Sequence, residues 1–307
     1  MSYNYTIIIP HHNLPHLLFR CLSSIPNRND VQTIVIDDKS DEQYIQNLKE
    51  IENQFVNASF YYLTECSGAG KARNIGLKKA LGKYILFADS DDFFNYCIND
   101  VFSEYKNEDA DIIYFNANSL DTDSFIQTRR NEQLSGMIRE YNRNQANGLF
   151  KLRYIFGEPW CKMVKREIIE SNNIKFEETN IHNDTAYSYL VGFYCKKAKV
   201  DNRCIYCVTD RANSVSRQIS LDRLLTRTNV FSKANQFFRE HNINRFEEKA
   251  LRPMMQFLLK GNWEYYRKCK QIIKDSGMSA TDLFIKQLFY PFLLLEKIYQ
   301  HFLYKIL

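Results

Sequence analysis

The chain has 307 residues, of which 45% are hydrophobic and 14% aromatic. This length suits one large domain or two ordinary ones, and the apolar content can fill a sizeable core, which excludes a disordered chain. The formal net charge of +5 comes without a long basic run, so a nucleic-acid-binding role has little support. Because the sequence shows neither an apolar run of about 18 residues nor a basic-then-apolar leader, we expect a cytosolic chain without a membrane span.

Short apolar segments and helix-like segments alternate over the first hundred residues. The pattern predicts strands at 5–10, 33–38, 60–64 and 84–89, and helices at 15–24, 44–55 and 71–81. Strands that alternate with helices of this length are typical of βαβ units. The sequence therefore predicts an α/β fold with a mostly parallel sheet between helices, in which ligands bind at the carboxyl ends of the strands.

Beyond residue 100 the alternation loosens. Further strands are predicted at 111–117 and 203–208 and a helix at 184–195, and the chain becomes helical from about residue 218. We therefore predict a domain over residues 1–217 and a helical C-terminal region over residues 218–307.

Polar segments follow each of the first four predicted strands: "PHHN", "DDKSD", "ECSGAGKARN" and "DSDD". The fourth places Asp89, Asp91 and Asp92 together, and carboxylates this close repel one another unless a cation compensates them. An Asp-x-Asp pair at a strand end suits Mg²⁺ or Mn²⁺, which leaves its other ligand positions to water and a diphosphate. The alternative is that Asp92 caps the next helix and the other two are solvated.

Three other sites, namely the turn at residues 68–70, Asp38 and Asp184, each have two interpretations. Gly68 and Gly70 form a tight strand-to-helix turn that either faces a phosphate or is only a turn. Asp38 can accept hydrogen bonds from an imide N–H or a ribose hydroxyl, while its neighbours cap a helix. Asp184 begins a predicted helix, either as an ordinary N-cap or as a general base.

The C-terminal tail, residues 281–307, is rich in Phe, Leu, Ile and Tyr, but its longest charge-free run is nine residues. This is too short to span a bilayer, and two possibilities stay open. The tail lies in a membrane interface, with its lysines nearer the head groups, or it packs on its own domain or on a second subunit.

These motifs occur in an order that resembles family 2 glycosyltransferases with the GT-A fold, which are inverting enzymes of bacterial polysaccharide synthesis. The resemblance covers roughly residues 4–217. It is carried by these segments: "YTIIIPHHN", "VIDDKS", "GAGKARNIGLKKALGKYILFADSDD", "EPWCKMVKREII", "HNDTAYSYL" and "IYCVTDRANSVS". Two positions depart from the family pattern: His12 stands where Tyr is usual, and Asn183 replaces the Glu of a Glu-Asp pair.

The resemblance implies a donor site for a nucleotide-sugar. Pro10 with its neighbours and Asp38 would hold the nucleobase, Arg73 would lie against the nucleotide, and Asp89 would contact the ribose or a metal-bound water. Arg211 would approach the leaving diphosphate.

The resemblance also implies the metal, the base and the acceptor side. Asp91 would bind Mn²⁺ or Mg²⁺ between the two phosphates, and Asp184 would take the proton of the acceptor hydroxyl. Trp160 and Lys162 would line the acceptor side.

The function implied is metal-dependent, inverting transfer of a sugar from a nucleotide donor, most often UDP-linked, to a glycan or a polyprenyl-linked glycan. With an interfacial tail, the enzyme would work at the cytoplasmic face of the membrane. Two alternatives remain: a sugar-phosphate nucleotidyltransferase, and a catalytically silent assembly protein with the same fold.

Overall fold

A computed structural model describes residues 3–211, 220–243 and 247–291 of the protein. The chain divides into two compact units, residues 1–217 and residues 218–307. Each unit has a hydrophobic core of its own.

The first unit contains a mixed sheet that has eight strands within the described residues. In chain order these are β1 (Tyr5–His11), β2 (Val31–Asp37), β3 (Ala58–Tyr62), β4 (Tyr84–Phe87), β5 (Phe93–Phe94), β6 (Ile112–Asp121), β7 (Lys162–Lys165) and β8 (Ala198–Asp210). The spatial order is β3-β2-β1-β4-β7-β6-β8-β5. β1, β2, β3 and β4 are mutually parallel, and β7 is antiparallel to both of its neighbours.

The helices of the first unit flank this sheet, and α3 packs on β1 and β2. They are α1 (Pro15–Ser23), α2 (Glu42–Gln54), α3 (Ala69–Lys79), α4 (Ile98–Glu104), α5 (Glu132–Arg143), α6 (Gln145–Tyr154), α7 (Arg166–Ser171) and α8 (Thr185–Tyr194), with a 3₁₀ turn at Tyr105–Asn107.

β1 lies between β2 and β4, which explains why every residue of "YTIIIPH" is buried. A strand covered on both faces reads as a continuous apolar run, because no side of it meets water. The three parallel strands β1, β2 and β4 end at the same edge of the sheet, so the polar segments that follow them are brought together there.

The predicted α/β fold with a mostly parallel, mixed sheet is confirmed. The first four strands and three helices occur within a few residues of their predicted positions. The antiparallel strand β7 was not predicted, because three of its four residues fall at the end of the longer apolar segment 149–164 and four residues are too few to show a period of two. Helix α5 and the start of α6 lie in the polar stretch 118–147, for which no helix was predicted.

The second unit is helical. It contains α9 (Leu221–Glu240), α10 (Glu247–Leu259), α11 (Trp263–Asp275) and a further helical segment at residues 280–291. Within the described residues, none of the helices is both long and apolar enough to cross a bilayer. Phe284 and Leu288 of the tail are 65% and 61% exposed, whereas Phe292, Leu295, Lys297, Phe302 and Lys305 lie outside the described residues.

Candidate active site

The segments after β1 and β2 are joined by a buried hydrogen-bond network around Asp37. His11 donates from Nδ1 to Asp37 Oδ1 (2.7 Å), while its Nε2 accepts the N–H of Leu14 (3.1 Å), an arrangement that fixes the tautomer. Ser40 Oγ donates to the same carboxylate oxygen (2.6 Å). Burial would raise the pKa of Asp37, but the hydrogen bonds from His11 and Ser40 outweigh it, and the net pKa is lowered. The network holds the segments after β1 and β2 together around the buried carboxylate of Asp37.

Asp38 holds the glycine turn that precedes α3. Its two carboxylate oxygens accept the N–H groups of Ser67 (2.8 Å) and Gly68 (2.7 Å). Gly68 has φ = +85°, a conformation that glycine adopts without steric cost. Pro10 is a buried strand residue, and the exposed His12 lies next to Asp38, with Nδ1 3.1 Å from the Asp38 carbonyl oxygen. The nucleobase contacts expected of Pro10 and Asp38 stay predictions.

Arg73 joins three segments of the site. One terminal nitrogen donates to Asp89 Oδ1 (2.6 Å) and the other to Asn183 Oδ1 (2.8 Å). The guanidinium lies over the Phe176 ring, 5.3 Å from its centroid, and Arg73 as a whole is only 5% exposed. A buried arginine pinned in this way presents a fixed positive charge, because its planar fork leaves little rotational freedom.

The carboxylate of Asp91 is held in an unfavourable environment for its charge. Burial and the like charge of Asp89 raise its pKa, and Arg211, whose guanidinium nitrogen lies 3.3 Å from Asp91 Oδ2, opposes the rise only in part. Two carboxylates at a strand end fit a hard divalent cation that takes one or two protein oxygens. Among the described residues there is no group of three or more His, Cys, Asp or Glu side chains arranged to hold a metal.

Asp92 does not cap the next helix, so that interpretation is wrong. α4 begins at Ile98, after Cys97, and the carboxylate of Asp92 is buried and accepts the N–H of Thr209 (2.7 Å). The hydroxyl of Thr209 donates to the carbonyl oxygen of Asp91 (2.7 Å). Asp92 thus anchors the acidic turn to β8.

Asp184 precedes the first residue of α8, but its side chain makes no capping hydrogen bond. Burial raises its pKa to about 6, Arg73 acts against the rise, and Glu158 adds to it. A carboxylate has the properties of a general base when its pKa is near the working pH, a fixed cation is close and it makes no capping hydrogen bond.

Trp160 and Lys162 are both buried, so neither side chain lies open on the acceptor side. Trp160 stacks on Tyr206 with centroids 5.8 Å apart, and Tyr206 Oη accepts the N–H of Asp89 (2.8 Å). Lys162 donates to the carbonyl oxygens of Phe156 (2.8 Å) and Glu158 (2.7 Å), and burial lowers its pKa to about 7. Any effect of these two residues on the acceptor would pass through the segments they support.

The start of α3 packs directly against the segment that leads to Asp184. A Cβ atom on Gly70 would lie 2.2 Å from the carbonyl oxygen of Glu177 and 3.0 Å from Asn183 Cβ. The Glu177 N–H in turn donates to the Asn183 carbonyl oxygen (3.0 Å). Gly70 is therefore needed for a close approach between the two segments and not only for a turn.

Sequence reasoning missed the supporting residues His11, Asp37 and Tyr206. The "HH" and "DD" pairs were visible signals for the first two, whereas nothing in the sequence indicates that a tyrosine of β8 meets the backbone of Asp89. Ser214 and Ser216, which completed the last motif, lie outside the described residues.

Comparisons with known proteins bear on the family and the fold of this chain. The family model described as glycosyl transferase family 2 matches residues 6–172. The poly(ribitol-phosphate) beta-N-acetylglucosaminyltransferase TarS of Staphylococcus aureus is 30% identical over 95 residues, 30% of this chain and 17% of TarS. The glycosyltransferase GlyG of Streptococcus pneumoniae is 24% identical over 244 residues, 76% of this chain and 80% of GlyG. The chain thus spans only about a sixth of TarS but most of GlyG.

The crystal structure of S. aureus TarS 1–349 with UDP-GlcNAc superposes with a TM-score of 0.58 at 17% identity, covering 90% of this chain and 92% of that one. A mannosyltransferase from Pyrobaculum calidifontis, in complex with GDP-Man and Mn²⁺, gives a TM-score of 0.53 at 13% identity, covering 96% and 81%. At these identities the likeness concerns the fold, which is the predicted GT-A fold.

Proposed function

Because the chain belongs to glycosyl transferase family 2, we propose that its first unit transfers a sugar, with inversion, from a nucleoside diphosphate donor to an acceptor hydroxyl. The observation that carries the proposal is the arrangement of Asp184, whose pKa is raised to about 6, and Asp89 around the buried Arg73, with Asp91 two residues beyond Asp89. A base and a charged diphosphate site are the two parts that a single inverting displacement needs.

Asp184 takes the proton of the acceptor hydroxyl as that oxygen attacks the anomeric carbon. The attack forms a C–O bond on one face of the sugar while the bond to the diphosphate breaks on the other, so the configuration is inverted and no covalent intermediate on the protein forms. Asn183 cannot replace Asp184 in this role, because an amide oxygen is a very weak base.

Asp91, with Asp89 nearby, would hold a Mn²⁺ or Mg²⁺ ion. When bound, such an ion supplies positive charge that stabilises the leaving diphosphate. Burial and the like charge of Asp89 raise the pKa of Asp91, and a cation bound there would relieve both, which supports this assignment. Arg211, which pairs with Asp91 at 3.3 Å, would supply a second positive charge to the diphosphate.

The donor would be a UDP-sugar, bound at the carboxyl ends of β1 and β2. Asp38 and the backbone around Pro10 would hold the base, and Asp89 would contact the ribose. The TarS complexes, which contain UDP-GlcNAc and UDP, support this choice of nucleotide.

The acceptor would be a glycan or polyprenyl-linked glycan of a bacterial surface polymer, with transfer at the cytoplasmic face of the membrane. TarS is named for poly(ribitol-phosphate) as its acceptor, which makes a phosphate-containing polymer a natural first candidate. The exposed Phe284 and Leu288 of the tail support contact with a membrane or with a second copy of the chain.

The test is turnover with a panel of UDP-, GDP- and dTDP-sugars in the presence of Mn²⁺ and polymer acceptors. We expect release of the nucleoside diphosphate by the wild type, a product of inverted anomeric configuration by NMR, and no release by D184N. Release of pyrophosphate from a sugar phosphate and a nucleoside triphosphate would indicate a nucleotidyltransferase instead. No turnover with any donor would favour a silent assembly protein.

A further inference from the structure

Positive charge is concentrated in the second unit. Residues 218–307 contain 15 lysines and arginines against 8 aspartates and glutamates, a formal charge of +7, whereas the whole chain carries +5. The catalytic unit is therefore slightly acidic, with a formal charge of −2, and the helical unit is strongly basic. A charge excess of this kind raises the local concentration of anions.

Part of this charge gathers where α9 and α10 pack together. The Phe231 ring of α9 lies 5.7 Å from the guanidinium carbon of Arg227 and 5.1 Å from Nζ of Lys249, which belongs to α10. Arg252 follows Lys249 by three positions, a spacing that puts both side chains on the same side of a helix. Arg227 and Lys249 therefore face one buried ring from two helices, and Arg252 lies close enough to Arg227 to act on its charge.

The two arginines of this group have no anionic partner within the described part of the chain. The Nε–H of Arg227 is buried without an acceptor, and neither Arg227 nor Arg252 forms an ion pair there. Burial and the like charge of Arg252 lower the pKa of Arg227. A half-buried guanidinium without an acceptor costs free energy, and an anion that binds between the two arginines removes that cost.

We propose that Arg227 and Arg252 form a binding site for a phosphodiester group of an anionic polymer, with Lys249 adding positive charge. A guanidinium group can donate two parallel hydrogen bonds to the oxygens of one phosphate. In the described residues neither arginine is already paired with a carboxylate, so both are available for such contacts. Arg227 is half-buried on the helix that packs against α10, a position that a single phosphate group reaches more easily than a flat layer of lipid head groups does. The inference rests on the proposed function only where it treats this polymer as the acceptor.

The test measures the affinity of the 307-residue chain for a soluble ribitol phosphate oligomer by calorimetry, beside a neutral glycan of the same length. R227Q/R252Q removes the two proposed contacts. K260Q/K274Q removes two exposed charges from the same unit and is the matched control. We expect R227Q/R252Q to lose about tenfold or more in affinity and the control to lose about twofold or less, since bidentate contacts are stronger than diffuse attraction.

If the double variant does not fold, R252Q alone replaces it in the test, because Arg252 is exposed and its substitution should not affect folding. Equal losses in R227Q/R252Q and in the control would overturn the proposal, because diffuse charge would then explain binding. Absence of binding by the wild type, or arginine-dependent binding only to vesicles of anionic phospholipid, would overturn it as well. UDP binding, measured in parallel, separates the two claims: polymer binding without UDP binding would sink the proposed function and leave this inference standing.

Discussion

The Asn183 side-chain oxygen accepts a hydrogen bond from Arg73, with the two atoms 2.8 Å apart. The other terminal nitrogen of Arg73 pairs with Asp89 at 2.6 Å. Because an amide carries no charge, the positive charge of Arg73 acts on Asp89 and on Asp184 and is not shared with a third carboxylate. A neutral residue at 183 therefore helps to keep the pKa of the candidate base from rising further.

The first prediction follows from this relationship. In N183D a carboxylate would compete for Arg73 and repel Asp184, so the pKa of Asp184 should rise above about 6. The groups that act on Asp184 are Arg73, Glu158 and Asp89, and Lys162 is also close enough to interact with it. We expect the acidic limb of the pH profile of kcat/KM to move to higher pH, with a several-fold loss near pH 6 and a smaller one at pH 8.

N183A is the control for N183D, since it removes the hydrogen bond without adding charge. An acidic limb that moves equally in both variants would contradict the electrostatic explanation.

The second prediction concerns Asp184 itself. The base must be ionised, so in the wild type kcat/KM should rise as the pH rises through about 6 and level off above it. D184N should lower kcat by about 10³-fold or more and leave UDP binding within about twofold. If D184N keeps most of its kcat, Asp184 is not the general base.

The third prediction concerns the contact between α3 and the segment before α8. In G70A the new methyl group would meet the Glu177 carbonyl oxygen at 2.2 Å, so this segment must shift. We expect a loss of about 1–3 kcal/mol in the free energy of unfolding, measured in urea, and a fall in kcat larger than the change in KM for the donor. The control is G157A, because a Cβ on Gly157 has no neighbour within 4 Å. Equal effects in both variants would show that the packing of Gly70 is unimportant.

The fourth prediction uses the raised pKa of Asp91. Folding raises this pKa, so the ionised carboxylate destabilises the metal-free protein at pH values above it, and the effect fades as the pH falls and the group is protonated. D91N should therefore raise the Tm of the metal-free protein by about 1–3 °C at pH 7.5, with a smaller difference near pH 4.5. A Tm that falls at pH 7.5 would mean that the Arg211 pair stabilises the fold more than burial and repulsion destabilise it.

Much of the fold could be predicted because the strands and helices of βαβ units show their apolar patterns in consecutive residues. The buried run of β1 and the helix-like segments after it are set by neighbouring residues, whereas β7 acquires its place only by pairing with β4 and β6. Short antiparallel strands of this kind depend on distant partners, so a single sequence gives little warning of them.

The candidate site was predictable in position but not in its internal contacts. Asp89 and Asp91 follow a strand in the sequence, and the fold brings them to the expected edge. The roles of Asp92 and Lys162 could not be read from motifs, because they depend on the N–H of Thr209 and on two carbonyl groups that only the folded chain brings within reach.

The most direct test of the central claim is the thermal shift of the wild type with UDP and UDP-sugars, with and without Mn²⁺, beside D91N. A ligand that binds the native state raises Tm in proportion to RT ln(1 + [L]/Kd). We predict a shift with UDP that grows when Mn²⁺ is added to the wild type and does not grow in D91N. No shift with any nucleoside diphosphate, or an equal Mn²⁺ effect in D91N, would contradict the assignment of this sheet edge as a metal-assisted donor site.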